Sequence, residues 1–117
     1  IILRNKVADY YSENLDVKLK KPFCPDQYTS SWAQYSILAD SKSSREKIIL
    51  KLKMSDIPSM IYYKIPLHLQ DVYKKLGYKN SDFPNSESVA ERIFSIPMHP
   101  YLNRDQQDRV IEVLNSN

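Results

Sequence analysis

Hydrophobic residues recur at helical spacing at the start of the chain. Leu3, Val7, Tyr11 and Leu15 lie four residues apart, and charged residues stand between them. This spacing predicts an amphipathic helix with one apolar face. Helices commonly begin behind a Ser, Thr, Asp or Asn cap, and no such residue precedes this pattern. We therefore expect the helix to begin outside the given sequence, as in a piece of a longer protein.

Three later stretches are typical of β-strands. Residues 17–20 alternate apolar and polar side chains, 31–39 are rich in β-forming residues, and 59–65 (SMIYYKI) form the third predicted strand, which ends at Pro66. Pro22 follows the first stretch, and proline cannot donate to a strand ladder, so we expect 17–20 to be an edge strand. We expect 31–39 to be the central strand.

Further helices are predicted between and after these strands. The helical segments are one capped by Ser43 or Ser44 that carries Ile48, Ile49 and Leu52, then 70–76, 87–94, and one that follows Asn103. Gly77 is a suitable C-terminal stop for the segment 70–76. Asn103 and Gln106 have capping-box spacing at the start of the last helix. The order predicts an α+β fold, with a small, mainly antiparallel sheet of about three strands packed by helices.

Composition limits the possible functions. A length of 117 residues suits one domain, 1–117. A single glycine, Gly77, excludes the glycine-rich loops that bind nucleotide phosphates. The net charge of +3 is small and unclustered, which argues against nucleic-acid binding. Cys24 is the only cysteine and no apolar run could span a bilayer, so a cytoplasmic location without membrane contact is expected.

The residue types alone complete no catalytic constellation. His68 follows the strand 59–65, where loops often carry ligand contacts, but a histidine hydrogen-bonded to backbone is the alternative. His99 stands between two prolines, which indicates a rigid turn. Glu87 and Glu91 are four residues apart and are expected on an exposed, charged helix face. No His, Cys, Asp or Glu set has zinc-ligand spacing, so no metal site is predicted.

Four ordered stretches nevertheless resemble a known family. They are RNKVADYY at 4–11, SWAQYSI at 31–37, YKIPLHLQ at 63–70, and FPNSE at 83–87 running on to SIPMHPYL at 95–102. Together they resemble the C-terminal small domain of DegT/StrS-type nucleotide-sugar aminotransferases. Lys64 departs from the family pattern, which often has Pro there, and Ile96 stands where Leu is common.

The resemblance implies a fold type I enzyme that uses pyridoxal 5'-phosphate to aminate a nucleotide-linked keto-sugar. Glutamate would be the amino donor, the enzyme would be a homodimer, and the product would serve lipopolysaccharide or other glycan biosynthesis. The Schiff-base lysine would belong to a large N-terminal domain absent from this chain. The chain alone is therefore expected to be non-catalytic and to bind no cofactor.

The resemblance also implies which residues contact substrate. His68 is the first candidate, for hydrogen bonding to sugar or phosphate, Tyr63 is the second, and Lys64 is a weaker third. Loss of the large domain should uncover apolar surface, for which Leu3, Val7 and Tyr11 are the first candidates. A different class of function is a free-standing RNA- or protein-binding module that uses the basic surface and the nine tyrosines.

Overall fold

A computed structural model describes residues 1–116. The helices and strands are α1 (Ile2–Asn14), β1 (Tyr35–Leu38), α2 (Lys42–Met54), α3 (Pro84–Arg92), β2 (Ile93–Ile96) and α4 (Arg104–Asn115). Two short 3₁₀ helices, Leu67–Leu69 and Asp71–Leu76, lie between α2 and α3. The architecture is α+β, as the sequence predicts. Within the described residues, no helix is both long and apolar enough to cross a membrane.

The sheet is small and antiparallel. β1 pairs with β2 from Tyr35 opposite Ile96 to Leu38 opposite Ile93. On either side, the pairing continues only as a single bridge, Lys20 with Leu38 and Met60 with Ser95. The predicted strands 17–20 and 59–65 are therefore wrong as regular strands, although each contacts the sheet at an edge. Prolines around both stretches remove the backbone donors that a longer ladder needs.

β2 begins within a stretch that the sequence predicts to be helical. The sequence predicts a helix over 87–94, whereas α3 begins at Pro84 and ends at Arg92, and Ile93 is extended. Pro84 is at the first helical position, where its missing N–H removes no helix hydrogen bond. Phe94, Ser95 and Ile96 are all buried, so this strand lacks the alternation that marks a half-buried strand. Pairing with β1 decides its conformation.

The core lies between β1, β2 and the faces of α1, α2 and α4. Its largest fully buried side chains are Tyr11, Tyr35, Phe94, Ile37 and Leu52. Val7 and Tyr11 are therefore covered by this chain itself, and the expectation that they form uncovered surface is wrong for both. The exposed apolar residues at the start of the chain are Ile1, which precedes α1, and Ile2 and Leu3 in its first turn.

The helix ends follow their capping chemistry. Asn103 and Gln106 form the predicted capping box at α4. α2 is capped by Ser41, whose side chain accepts a hydrogen bond from the Ser44 N–H, so the cap lies two or three residues before the predicted Ser43 or Ser44. The segment Asp71–Leu76 is a 3₁₀ rather than an α-helix. Gly77 ends it with φ 80°, a left-handed conformation that favours glycine.

Candidate functional site

His68 lies in a short 3₁₀ helix that begins directly after Pro66. Its side chain is only 8 % exposed, and its Nε2 atom lies 3.0 Å from Oε1 of Glu87. The imidazole also packs edge-on against the ring of Phe83, with 4.8 Å between ring centroids. The partner of His68 is thus a carboxylate, and not the backbone group that the alternative interpretation expected.

Glu87 lies in α3, and its carboxylate is hydrogen-bonded to His68 and to the loop before α3. Both of its carboxylate oxygens accept from the Ser81 N–H at 3.0 Å, and Oε1 also accepts from the Phe83 N–H at 3.3 Å. The Ser81 hydrogen bond contributes most to holding the pKa of Glu87 below its ordinary value, and His68 and Phe83 act in the same direction against partial desolvation. The carboxylate is consequently ionised over the neutral pH range.

The exposed-face interpretation of Glu87 is therefore wrong, while it is right for its neighbour Glu91. Helical spacing could not separate the two, because both lie on the same side of α3. The difference comes from the loop before α3, which folds back so that its N–H groups face Glu87. The only sequence signal was the FPNSE stretch in which the residue lies.

An apolar concavity adjoins His68. Phe83 packs edge-on against Tyr78 at 5.2 Å between centroids. The concavity has a volume of about 350 Å³, and its lining includes Leu67, His68, Tyr73, Leu76, Tyr78 and Phe83. Leu67 and Leu76 are both exposed there. His68 is thus a polar group at the edge of an otherwise apolar surface.

Among residues 1–116, the three predicted site residues line three different concavities. Tyr63 is 71 % exposed and lines a second concavity of about 560 Å³, which includes Pro66 and Leu67. Lys64 is also exposed and lines a third, of about 450 Å³, to which Glu87 contributes. Leu67 is common to the concavities of Tyr63 and His68, so these two surfaces adjoin each other.

The cleft beside Lys64 carries charges of both signs. Lys42 and Arg45 line it from α2, together with the acidic Glu46 from α2 and Glu91 from α3. Arg45 is buried and donates to the Ala90 carbonyl at 3.1 Å, while its Nε has no hydrogen-bond partner among the described residues. Arg45 therefore ties α2 to α3 behind the cleft.

Lysines are the residues to which pyridoxal phosphate attaches covalently. No lysine between residues 1 and 116 is buried, and the half-buried Lys21 and Lys51 donate to backbone carbonyls. Over the same residues, no group of three or more His, Cys, Asp or Glu could hold a metal ion.

Comparison with known proteins identifies the class of protein to which the chain belongs. The fold is that of a segment of sugar aminotransferases of the type I fold. A DegT DnrJ EryC1 StrS aminotransferase from Brucella abortus superposes with a TM-score of 0.86 at 42 % identity. The match covers 97 % of this chain and 30 % of that one. The family model for the DegT/DnrJ/EryC1/StrS aminotransferases matches residues 1–115. The chain belongs to this family.

Two further relatives are informative. A UDP-2-acetamido-2-deoxy-3-oxo-D-glucuronate aminotransferase from Pseudomonas aeruginosa is 34 % identical over 104 residues, which cover 88 % of this chain and 27 % of that protein. The PLP-form of a sugar aminotransferase from Streptococcus pneumoniae, described as putative, matches with a TM-score of 0.86 at 25 % identity, over 97 % of this chain and 30 % of that one. The chain thus spans less than a third of each relative.

Proposed function

We propose that this chain is the C-terminal small domain of a pyridoxal-phosphate-dependent enzyme that aminates a nucleotide-linked keto-sugar. The observation that carries the proposal is the family match over residues 1–115. It is supported by 34 % identity to an aminotransferase named for a UDP-linked 3-oxo sugar. The class of substrate is inferred from the name of this relative.

In this proposal the cofactor and its lysine belong to a large N-terminal domain outside this sequence. The PLP-form relative, of which the chain covers 30 %, supports that division. Bound there, the cofactor would supply the electron sink for amino-group transfer. Glutamate would be the amino donor, and the enzyme would be a cytoplasmic homodimer that serves lipopolysaccharide or another surface glycan.

This chain would act on the substrate side. His68 would contact a polar group of the sugar nucleotide at the edge of the apolar concavity, where Glu87 already holds its Nε2 atom. Tyr63 would contribute from the adjoining concavity. Lys64 would reach a diphosphate only by extending from the third cleft, which makes it the weakest of the three candidates.

The family match disfavours a free-standing RNA- or protein-binding module. Two of the nine tyrosines, Tyr11 and Tyr35, are fully buried in the core and cannot stack on bases. The concavities around His68 and Lys64 are apolar or mixed in charge, whereas phosphate backbones bind clustered cations.

The experiment starts from the encoding reading frame. We expect upstream codons for a larger domain that carries the cofactor lysine. The full-length protein, supplied with pyridoxal phosphate, should convert glutamate to 2-oxoglutarate over many turnovers only when a nucleotide-linked keto-sugar is present to accept the amino group. The chain 1–117 alone should show neither transfer nor a cofactor absorption band. If the complete frame encoded only this domain, or if the full-length enzyme aminated free amino-acid precursors and ignored sugar nucleotides, the proposal would be wrong.

A further inference from the structure

The contact between His68 and Glu87 has a defined direction of proton donation. An ionised carboxylate can only accept hydrogen bonds, and the N–H groups of Ser81 and Phe83 can only donate. With both of these donors on Glu87, at 3.0 and 3.3 Å, the ionised carboxylate is the form that satisfies all partners. Nε2 of His68, at 3.0 Å from Oε1, must therefore be the protonated ring nitrogen.

The remaining ring nitrogen then has a defined role. In neutral histidine, a proton on Nε2 leaves Nδ1 as a hydrogen-bond acceptor. The ring cannot turn freely, because its other contact is the edge-on packing against Phe83 and its side chain is 8 % exposed. Nδ1 is thus the nitrogen left available to a ligand, and it suits a hydroxyl donor better than an anionic phosphate oxygen.

We propose that Glu87 is a positioning residue for sugar-nucleotide binding: it fixes the tautomer and orientation of His68 so that Nδ1 accepts a hydrogen bond from a substrate hydroxyl group. This inference rests on the proposed function for the identity of the ligand. The tautomer and the dependence on Glu87 rest on the contacts of this chain alone.

The same carboxylate also orients the loop before α3. Ser81 has a φ of 75°, an unfavourable conformation for a non-glycine residue, and its N–H points to both oxygens of Glu87. Phe83, whose N–H is the other backbone donor, is the aromatic residue that packs on His68. Glu87 therefore controls the ring of His68 twice, by a direct hydrogen bond and by placing the ring that packs against it.

The first test needs no activity. In the full-length protein labelled with ¹⁵N-histidine, and with His68→Gln used to assign the signals, we expect the His68 spectrum above neutral pH to show a protonated Nε2 and an unprotonated Nδ1. Glu87→Ala should shift the ring signals toward averaged tautomers. Glu91→Ala is the matched control, because Glu91 lies one helical turn later, is exposed and does not bond to His68. A proton on Nδ1 in the wild type would overturn the proposal.

The second test uses kinetics to separate positioning from general damage. Loss of one oriented hydrogen bond should raise the KM for the sugar nucleotide about tenfold in Glu87→Ala, with a smaller change in kcat. Glu87→Gln, which keeps the size and an acceptor oxygen, should recover part of the affinity. If the ring signals changed while KM stayed at the wild-type value, His68 would still be held by Glu87 but the substrate contact would be refuted. If both variants lost kcat and thermal stability together with an unchanged tautomer, Glu87 would have only a structural role.

Discussion

Tyr11 and Tyr35 pack against each other in the centre of the core, with 5.3 Å between ring centroids, yet only one of the two hydroxyl groups has a partner. The Tyr35 hydroxyl lies 2.8 Å from Oγ of Ser12. The Tyr11 hydroxyl is buried and has no hydrogen-bond partner among the described residues. A buried hydroxyl without a partner loses its hydrogen bonds to water and forms none in the protein. The Tyr35 hydroxyl therefore stabilises the fold, whereas the Tyr11 hydroxyl does not.

This difference predicts opposite effects of the same substitution. Tyr11→Phe removes an unsatisfied group and should leave the free energy of unfolding unchanged or raise it by up to about 1 kcal/mol. Tyr35→Phe removes a satisfied hydrogen bond, although Ser12 keeps its hydrogen bond to the Ala8 carbonyl at 2.8 Å, and should lower the free energy of unfolding by about 1 kcal/mol. Urea unfolding of both variants measures this. A larger loss in Tyr11→Phe than in Tyr35→Phe would contradict the assignment.

Burial of these tyrosines also predicts sensitivity to alkali. Burial is the main reason that the pKa of Tyr11 and that of Tyr35 lie above the ordinary value of 10.0. Above that pH the unfolded chain loses protons that the folded chain keeps. The contribution of these two tyrosines to the free energy of unfolding is therefore complete below pH 10 and falls as the pH rises further. Unfolding free energies measured across pH 9–11 should decline less steeply in Tyr11→Phe than in the wild type. Equal slopes would show that Tyr11 ionises normally in the fold.

The capping box of α4 gives a prediction at the surface. The side chain of Asn103 accepts from the Gln106 N–H at 2.9 Å, and the Gln106 side chain accepts from the Asn103 N–H at 3.0 Å. Asn103→Ala removes the bond that the side chain accepts and keeps the backbone N–H that donates to Gln106, and should lower the free energy of unfolding by about 1 kcal/mol. Asn103→Ser, which restores a capping oxygen, should recover most of the loss. An Asn103→Ala variant as stable as the wild type would show that α4 needs no cap.

Local chemistry explains which parts of the fold could be predicted. The cap of α4 and the stop at Gly77 depend on residues within four positions of each other, so the sequence displays them directly. The strand conformation of Ile93 and Phe94 cannot be recognised from nearby residues in the same way. Both continue the helical spacing of α3, and only pairing with β1, more than fifty residues away, makes them a strand.

The candidate site divides in the same way. The family resemblance indicates His68 as a candidate for substrate contact. The sequence does not indicate the hydrogen bonds of Glu87, because these depend on the N–H groups of Ser81 and Phe83. Backbone donors are the same at every non-proline position, so their direction is visible only once the loop is folded. Glu87 and Glu91 therefore look equivalent in sequence and differ in structure.

The exposed apolar surface near His68 predicts self-association of the chain 1–117. Leu67 and Leu76 are exposed and line one concavity, and continuous apolar surface of this kind favours contact with other molecules. Light scattering at high protein concentration should therefore show species larger than a monomer. Leu76→Lys should reduce association. Met54→Lys, at the exposed end of α2, is the control and should not. A wild-type chain that stayed strictly monomeric would contradict this prediction.

The proposed role of His68 in substrate binding leads to a kinetic prediction for the full-length enzyme. His68→Ala removes the ring that Glu87 holds at the edge of the apolar concavity, and kcat/KM for the sugar nucleotide should fall at least about tenfold, the effect of one oriented hydrogen bond. His99→Ala is the matched control, because His99 is exposed and its Nδ1 accepts only from the nearby Tyr101 N–H within a turn. We expect the control to retain wild-type kcat/KM. An unchanged kcat/KM in His68→Ala would remove this residue from the site, and the substrate contact would then have to come from Tyr63 or from outside this chain.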